Sequence, residues 1–288
     1  MIIVKLIGGL GNQMFQYALG RSLSLKNKED FKLDITGFEE YKLHSYSLGH
    51  FNINEHFATD SEIRLFKKYQ RKPGRKWFLR NRIMTDQDKY ATDELFYFQE
   101  RILSLNDIYL DGYWQSEKYF KKYEEIIRQD FTLKREPGGT DVKIAKKILN
   151  SNSISVHIRR GDYVSVLKNI NIFGTFGPEY YKDAENIISK KIPDPHFFVF
   201  SDDSEWVKKN IIFKNKTTYV DHNDATKNYA DLWLMSLCKH HIIPNSSFGW
   251  WGAWLDRNPS KIVIAPKQWF KKPSINTKDV IPESWIAI

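Results

Sequence analysis

The chain has 288 residues, of which 41% are hydrophobic and 27% charged, and it carries a net charge of +9. These proportions exclude a disordered chain and suit a protein of two domains. Cys238 is the only cysteine, which excludes an internal disulfide. No apolar run reaches the roughly 18 to 20 residues of a membrane span. No secretion signal precedes the first apolar segment, so we expect a cytoplasmic protein.

The first predicted strand, residues 2–7, leads into a glycine-rich loop and then a helical pattern. Strand, glycine loop and helix are typical of a dinucleotide-binding fold. Gly9 and Gly11 match the first two glycines of that fingerprint, but Met14 replaces the third. Asp34 lies where a ribose-binding acid would stand. A nicotinamide-dependent oxidoreductase with a Rossmann fold is therefore retained as an alternative.

The positive charge is concentrated between Arg64 and Arg82, where nine Lys or Arg residues occur without an acidic residue. Aromatic residues, Tyr69 and Trp77 among them, are interspersed, and such a segment can dock on anionic lipid, although a run of this kind is more often a solvated surface. A solvated surface is the alternative interpretation, and we do not expect a nucleic-acid partner. Residues 64–82 therefore suggest peripheral contact with the inner face of a membrane.

A DxD sequence at residues 86–88 would hold a divalent metal in some sugar-nucleotide transferases. No apolar strand leads into it here, so we attribute it to chance. Residues 108–115 predict a strand and turn, and residues 116–128 a helix. The Pro- and Gly-containing segment 136–140 is the predicted linker. The resulting domains are residues 1–140 and 141–288.

From residue 142 onward, predicted helices and strands alternate, which is typical of a parallel, doubly wound sheet. The predicted helices are residues 142–149, 180–189, 204–210, 225–239 and 248–255. The predicted strands are residues 153–160, 196–200, 217–220, 241–243 and 262–265. We therefore expect an α/β fold with two Rossmann-like domains that face each other.

In the strand at residues 153–160, apolar residues alternate with Ser155, His157 and Arg159, which predicts one apolar and one polar face. Gly161 is expected to end this strand. Ligands bind beyond the carboxyl ends of strands in open α/β sheets, and arginine forks suit phosphate. Neighbouring strand residues leave opposite faces, so Arg159 rather than Arg160 is expected to point into the cleft. A structural Arg–Asp ion pair is the alternative.

Further polar residues follow other strands at the same predicted edge: Asp202 and Asp203, then Asn245, Ser246 and Ser247. The last group begins a helix, whose N-terminus favours an anion. Arginines and a helix N-terminus together predict a diphosphate site that needs no metal. Helix capping explains the two aspartates equally well. The three tryptophans of that helix, Trp250, Trp251 and Trp254, are interpreted as core residues.

Several motifs in this order resemble those of the bacterial α-1,2-fucosyltransferases of glycosyltransferase family 11. They are residues 8–18 (GGLGNQMFQYA), 112–116 (GYWQS), 156–163 (VHIRRGDY), 200–203 (FSDD), 231–236 (DLWLMS) and 245–251 (NSSFGWW). The resemblance implies a GT-B fold and inverting, metal-independent transfer of L-fucose from GDP-β-L-fucose to O2 of a galactose. It also implies a galactose-terminated glycan acceptor in the biosynthesis of O-antigen or capsule. A lipid-linked acceptor is the form that we consider for docking at a membrane.

The same resemblance implies roles for individual residues. Arg159 would hold the β-phosphate with His157 beside it, and Asn12 would reach the donor from the facing domain. Asp162 is taken as the third catalytic residue; it is a candidate general base by type only, as are Asp111 and Glu117. The residues expected to contact substrate are Gly9, Gly11, Asn12, Gln13, Arg160, Asp202, Asp203, Asn245, Ser246, Ser247 and Phe248. A carbohydrate-binding protein without catalytic activity is the second alternative.

Overall fold

The computed structural model describes residues 1–40, 43–70, 89–93, 96–165, 170, 172–272 and 275–288. Residues 71–82 of the basic segment and the DxD sequence at 86–88 lie outside the described residues. The chain divides into two compact units, Met1–Thr132 and Leu133–Ile288. The sequence had placed the domain boundary within the next few residues, at the end of the segment 136–140.

The first unit contains a four-stranded parallel sheet in the order β2-β1-β4-β3. Its strands are β1 (Ile2–Lys5), β2 (Phe31–Asp34), β3 (Tyr90–Thr92) and β4 (Ile108–Asp111). Its helices are α1 (Leu10–Asn27), α2 (Asp60–Lys67) and α3 (Glu124–Asp130). Helix α1 begins directly after the glycine loop and ends where Lys28 adopts a left-handed conformation.

The helix predicted for residues 116–128 is wrong in its first half. Short 3-10 turns, Glu117–Tyr119 and Lys121–Tyr123, precede α3 instead. Phe120, between the two turns, leaves the helical region with φ −132° and is fully buried, with its ring centroid 6.2 Å from that of Phe15. Packing of this ring against α1 therefore outweighs the local helical preference.

The second unit contains a six-stranded parallel sheet in the order β10-β9-β8-β5-β6-β7. Its strands are β5 (Asn152–Ile158), β6 (Pro195–Ser201), β7 (Lys216–Val220), β8 (His240–Ile242), β9 (Val263–Ala265) and β10 (Ile286–Ala287). Its helices are α4 (Thr140–Leu149), α5 (Gly161–Ser165), α6 (Pro178–Ser189), α7 (Ser204–Asn210), α8 (Asn228–Ser236) and α9 (Ser247–Leu255). The predicted α/β class with parallel sheets is confirmed in both units.

The central strand β5 has the predicted alternation of apolar and polar residues, but it is buried on both faces, so its polar face does not open to a cleft. One face packs its apolar residues against α6, and the other side of the sheet is covered by α4 and α8. The polar residues of β5 are satisfied inside the core: Ser155 Oγ lies 2.7 Å from His241 Nδ1, and His241 Nε2 lies 3.1 Å from Asp256 Oδ2. Strands of parallel sheets are commonly covered on both faces in this way.

Strand β5 also ends earlier than predicted, at Ile158, and α5 begins at Gly161. Arg159 and Arg160 therefore lie in the turn between β5 and α5, so the alternation of strand faces does not determine which of them points into the cleft. Residues Trp250, Trp251 and Trp254 of α9 are buried, which confirms their interpretation as core. Across the described ranges, no helix is both long enough and apolar enough to cross a membrane.

Candidate functional site

Three neighbouring strands of the second unit, β8, β5 and β6, end at the same edge of the sheet. The segments that follow them carry the polar residues singled out in the sequence: Arg159 and Arg160 after β5, Asp202 and Asp203 after β6, and residues 245–247 after β8. The structure therefore brings together the residues that sequence reasoning placed at one edge.

Asp202 binds both the side chain of one arginine and the backbone of the next. Its Oδ2 lies 2.7 Å from Arg159 Nη1, and its Oδ1 accepts a hydrogen bond of 2.8 Å from the Arg160 backbone N–H. A Cβ atom on Gly161 would lie 2.5 Å from Oδ2. Only glycine thus lets the carboxylate approach the turn this closely. The Arg159 guanidinium carbon lies 5.5 Å from the Tyr163 ring centroid.

Arg160 has different partners. Its Nε donates to Asp203 Oδ2 at 3.0 Å, and its guanidinium carbon lies 3.5 Å from the Trp206 ring centroid. Asp203 also caps α7 by accepting a hydrogen bond from the Trp206 backbone N–H at 3.3 Å. Helix capping, the alternative considered from the sequence, thus occurs at Asp203 together with an ion pair. Arg160 is anchored to the first turn of α7.

His157 is almost fully buried at the end of β5. Burial, together with the adjacent Arg159 charge, lowers its pKa to about 3, so the imidazole is neutral near pH 7. Among the described residues, its Nδ1 has no hydrogen-bond partner. A Cβ on Gly249 would lie 2.6 Å from that atom, and the Phe248 ring centroid lies 5.4 Å from the imidazole centroid. His157 therefore packs under the first turn of α9.

Helix α9 presents its N-terminus at this edge. Ser246 occupies the N-cap position in an extended conformation, and within the described part of the chain its side chain makes no capping hydrogen bond. The first turn holds no acidic residue. Free backbone N–H groups and the helix dipole favour an anion at such a position. Ser246, Ser247 and Phe248 are thus placed where an anion would bind.

Asn245, also predicted to contact substrate, is used by the fold. Its buried amide donates to Phe173 O at 2.9 Å and to Trp269 O at 3.0 Å. Its own carbonyl accepts a hydrogen bond of 3.3 Å from the Tyr163 hydroxyl. Asn245 thus ties two loops to the end of β8. The side chain of Asp162, a predicted catalytic residue, lies outside the described part of the structure.

In the first unit, the glycine loop is shaped by Gly8 rather than by Gly9 or Gly11. Gly8 has φ +78°, whereas Gly9 is an extended N-cap and Gly11 lies within α1. Gln13 is fully buried; its amide donates to Gly8 O and Ser45 O and accepts from the Ser47 N–H. Its side chain therefore maintains the loop.

Asn12 has a single described hydrogen bond to a side chain, in which its Oδ1 accepts from Gln115 Nε2 at 2.8 Å. This bond joins the glycine loop to the predicted motif after β4. Contact of Asn12, or of the other predicted residues, with a substrate stays a prediction.

The burial and hydrogen bonds of Asp34 argue against a nicotinamide cofactor. The carboxylate is fully buried, with one oxygen accepting from the Thr36 N–H and hydroxyl and the other from the Tyr109 hydroxyl at 2.5 Å. These hydrogen bonds lower the pKa of Asp34 against the opposing effect of burial. A carboxylate engaged in this way is not accessible to a ribose.

Sequence reasoning quoted Asp231 within a motif but gave it no role. Burial raises its pKa to about 6. The Asn223 amide donates to Asp231 Oδ1 at 2.8 Å and to Asp141 Oδ1 at 2.9 Å, and His222 Nε2 lies 2.7 Å from the same Asp141 oxygen. The sequence feature that could have identified Asp231 is an acidic residue within the largely apolar sequence of α8. Across the described residues, no three His, Cys, Asp or Glu side chains form a metal-binding group.

Two units with parallel α/β sheets have the architecture of GT-B-type glycosyltransferases. The sequence matches Glycosyl transferase family 11 over residues 1–288, and the chain belongs to this family. The solved structure of a mutant of Arabidopsis thaliana FUT1 in complex with GDP matches with a TM-score of 0.50 at 10% identity, covering 99% of this chain and 75% of that chain. At this identity the likeness shows the fold alone.

Two curated relatives from Escherichia coli align along the whole chain. One is an alpha-1,2-colitosyltransferase, 36% identical over 295 residues, covering 100% of this chain and 99% of that protein. The other is the O-antigen biosynthesis glycosyltransferase WbnK, 32% identical over 308 residues, covering 98% of this chain and 99% of that protein. The protein is therefore a glycosyltransferase.

Proposed function

We propose that the protein is an inverting fucosyltransferase that moves L-fucose from GDP-β-L-fucose to O2 of a galactose residue, forming an α-1,2 linkage. The motif resemblance to fucosyltransferases of the family supports the donor. The α-1,2 linkage and a place in O-antigen biosynthesis are supported by the two relatives, whose names carry those terms. We further propose a lipid-linked glycan acceptor at the cytoplasmic face of a membrane.

The observation that carries the proposal is that Arg159 and the N-terminus of α9 follow neighbouring strands, β5 and β8, at one edge of the sheet. As the glycosidic bond to GDP breaks, the sugar becomes oxocarbenium-like and negative charge grows on the diphosphate. An arginine already held in place, beside free backbone N–H groups, stabilises that charge more in the transition state than in the ground state. Such a site supplies positive charge from the protein itself, so we propose that no metal is needed.

The acceptor hydroxyl must lose a proton as it attacks. Two acids considered as the base are engaged elsewhere: Asp111 accepts from Lys5 at 3.1 Å and from the Tyr90 hydroxyl at 2.6 Å, and Glu117 pairs with Lys121 at 3.2 Å. The departing diphosphate is itself a proton acceptor. We therefore assign no residue as general base.

Colitose is the second candidate for the transferred sugar. The observation that favours it is the 36% identity, along the whole chain, to an alpha-1,2-colitosyltransferase. Colitose is fucose without the 3-hydroxyl, so GDP-colitose would present the same diphosphate to Arg159. The two donors therefore differ only in contacts to that hydroxyl, and a site that hydrogen-bonds it rejects the analogue lacking it.

The test is a transfer assay with GDP-fucose and GDP-colitose in competition, a β-galactoside acceptor, and NMR of the product. We expect an α-fucosyl group on O2 of galactose and undiminished turnover in EDTA. A product enriched in colitose would replace the proposed donor. Loss of turnover in EDTA, restored by Mn²⁺, would contradict metal independence. The acids of the DxD sequence at residues 86–88 would then be the candidate metal ligands.

A further inference from the structure

Two consecutive aspartates pair with two consecutive arginines at the edge of the second sheet, but the two pairs are built differently. Arg160 and Asp203 are both anchored to α7, through the Trp206 ring and the Trp206 backbone N–H. Asp202 instead holds Arg159 within the turn that bears it. The two aspartates therefore do not have equivalent roles.

The Asp202 carboxylate links the end of the Arg159 side chain to its own backbone. One oxygen holds Nη1 at 2.7 Å, and the other accepts from the N–H of the next residue at 2.8 Å. The carboxylate thus holds the Arg159 guanidinium at a defined position relative to the turn. Gly161 completes the arrangement, because a Cβ there would lie 2.5 Å from the same carboxylate oxygen that binds Nη1.

We propose that Asp202 is a positioning residue for sugar transfer, which orients the Arg159 guanidinium and does not itself bind the nucleotide. This inference rests on the proposed function, in which Arg159 meets the donor diphosphate. A side chain ordered before the donor arrives need not be ordered during the reaction, so its charge acts fully on the transition state.

The two properties of Asp202 act on different quantities. Its positioning of Arg159 raises kcat, whereas its negative charge weakens the binding of GDP. The carboxylate is a negative charge close to the phosphate site, so removing the charge favours binding of GDP. Removing it also releases the guanidinium, so catalysis falls. Asp202→Asn should therefore lower kcat while the Kd for GDP stays unchanged or decreases. Loss of a nucleotide contact or general damage to the fold would instead weaken GDP binding.

The experiment is a double-mutant cycle of Asp202→Asn and Arg159→Lys. It measures kcat at saturating donor, the Kd for GDP by calorimetry, and the melting temperature. We expect Asp202→Asn to lower kcat about ten- to a hundredfold, the scale of a misplaced catalytic group. In the Arg159→Lys background the same change should cost less than about twofold, because residues that act as a unit are not additive.

The matched control is Glu124→Gln, which removes a carboxylate paired with an arginine, Arg128, at the same distance of 2.7 Å, in α3 of the first unit. We expect its kcat to equal that of the parent. Gly161→Ala is a second route to the same effect, because its Cβ displaces the carboxylate without removing the charge. It should lower kcat as Asp202→Asn does, which keeps the proposal testable if Asp202→Asn does not fold.

Parental kcat in both Asp202→Asn and Gly161→Ala would overturn the proposal. The proposal would also be overturned if Asp202→Asn lowered kcat as much in the Arg159→Lys background as it does alone. A large rise in the Kd of Asp202→Asn for GDP would overturn it as well. In those cases the proposed function would still stand, provided that Arg159→Lys alone lowers kcat. Parental kcat in Arg159→Lys itself would instead contradict the proposed function along with this inference.

Discussion

Among single residues, Arg159 and Arg160 show that two identical side chains can have different roles because their contacts differ. Strand alternation had suggested that they leave opposite faces of β5, but both lie beyond the end of that strand. What distinguishes them is their partners. Arg160 lies over the Trp206 ring and pairs with Asp203, whereas Arg159 is held by Asp202 in the turn.

We expect Arg159→Lys to lower kcat by on the order of a hundredfold or more, the usual loss for one preorganised charge-stabilising donor. Lysine retains the charge but lacks the planar fork that binds two oxygens at once. Arg160→Lys should cause a smaller loss of kcat and mainly reduce the melting temperature, since stacking on Trp206 is lost. Both are measured at saturating donor. A larger loss of kcat in Arg160→Lys would mean that Arg160 meets the phosphate.

Gly249 offers a second test at this scale, because a Cβ there would lie 2.6 Å from His157 Nδ1. The imidazole is buried and cannot move away freely, so we expect Gly249→Ala to lower the free energy of unfolding by about 1–3 kcal/mol, as overpacking does. Urea denaturation measures this. The control is Gly138→Ala, where a Cβ meets nothing within 4 Å and the change should be within about 1 kcal/mol. Equal stability of the two variants would contradict the close packing.

Helix α2 illustrates, for a single element, how local sequence and surface chemistry combine. It begins with a capping box between Thr59 and Glu62. Ile63 and Phe66 point into the core, while Leu65 and Tyr69 remain exposed. Lys68 lies over the Tyr69 ring, with 5.0 Å from Nζ to its centroid. The described beginning of the basic segment is thus an apolar and cationic surface.

We expect the protein to pellet with acidic liposomes at low salt, because cationic side chains with nearby aromatic rings are attracted to anionic lipid. Changing Arg71, Lys72, Arg75 and Lys76 to Gln should abolish pelleting and leave turnover on an acceptor in solution intact. The attraction should weaken at high salt, since screening shortens its range.

The control for the liposome assay removes the same four charges elsewhere, by changing the exposed Lys143, Lys146, Lys147 and Lys190 to Gln. This variant should still pellet. If the parent protein does not pellet at low salt, the basic segment is a solvated surface. If both variants fail to pellet, net charge rather than the segment governs the interaction.

Over the whole molecule, the fold class could be predicted because alternation of helices and strands is a local property of the sequence. The edge that carries Arg159, Asp202 and Ser246 was predictable for a related reason, since polar residues directly after buried strands meet there in a parallel sheet. The two-residue strand β10 was missed, because a pairing so short leaves no periodic pattern.

What could not be predicted depends on contacts distant in sequence. Ser155 and His157 lie on one polar face of β5, but helices cover both sides of the strand. The packing of those helices cannot be read from the sequence of the strand alone. The pairing of Asp202 with Arg159 is likewise a contact between segments far apart in the chain. Alternation within one strand gives no information about such a partner.

Asp231 gives the whole molecule a testable pH dependence. Its ordinary pKa is 3.8, but burial raises it to about 6 in the folded protein, with Asp141 adding to the rise and His222 opposing it. Between about pH 4 and 6 the folded state therefore binds more protons, so this residue's contribution to stability is present at low pH and is lost as pH rises through 6.

Asp231→Asn removes that titration while retaining an oxygen to accept from Asn223. We expect the variant to unfold at a higher temperature than the parent at pH 7.5 and the difference to shrink toward pH 4. Comparing two proteins cancels the other titrating groups. A difference that is constant across this range would show that the pKa of Asp231 is not raised.

The contact between Ser155 and His241, continued to Asp256, has a consequence for how the sheet assembles. Ser155 and His241 are direct partners in the register of β5 and β8. A shift of this pairing by one or two residues would leave the buried Ser155 hydroxyl and His241 Nδ1 without each other as partners, at a cost of about 1–3 kcal/mol for each unsatisfied group. The contact therefore stabilises the native register of β5 against β8. Because Arg159 follows Ser155 by four residues, this register also determines how far the arginine extends beyond the sheet.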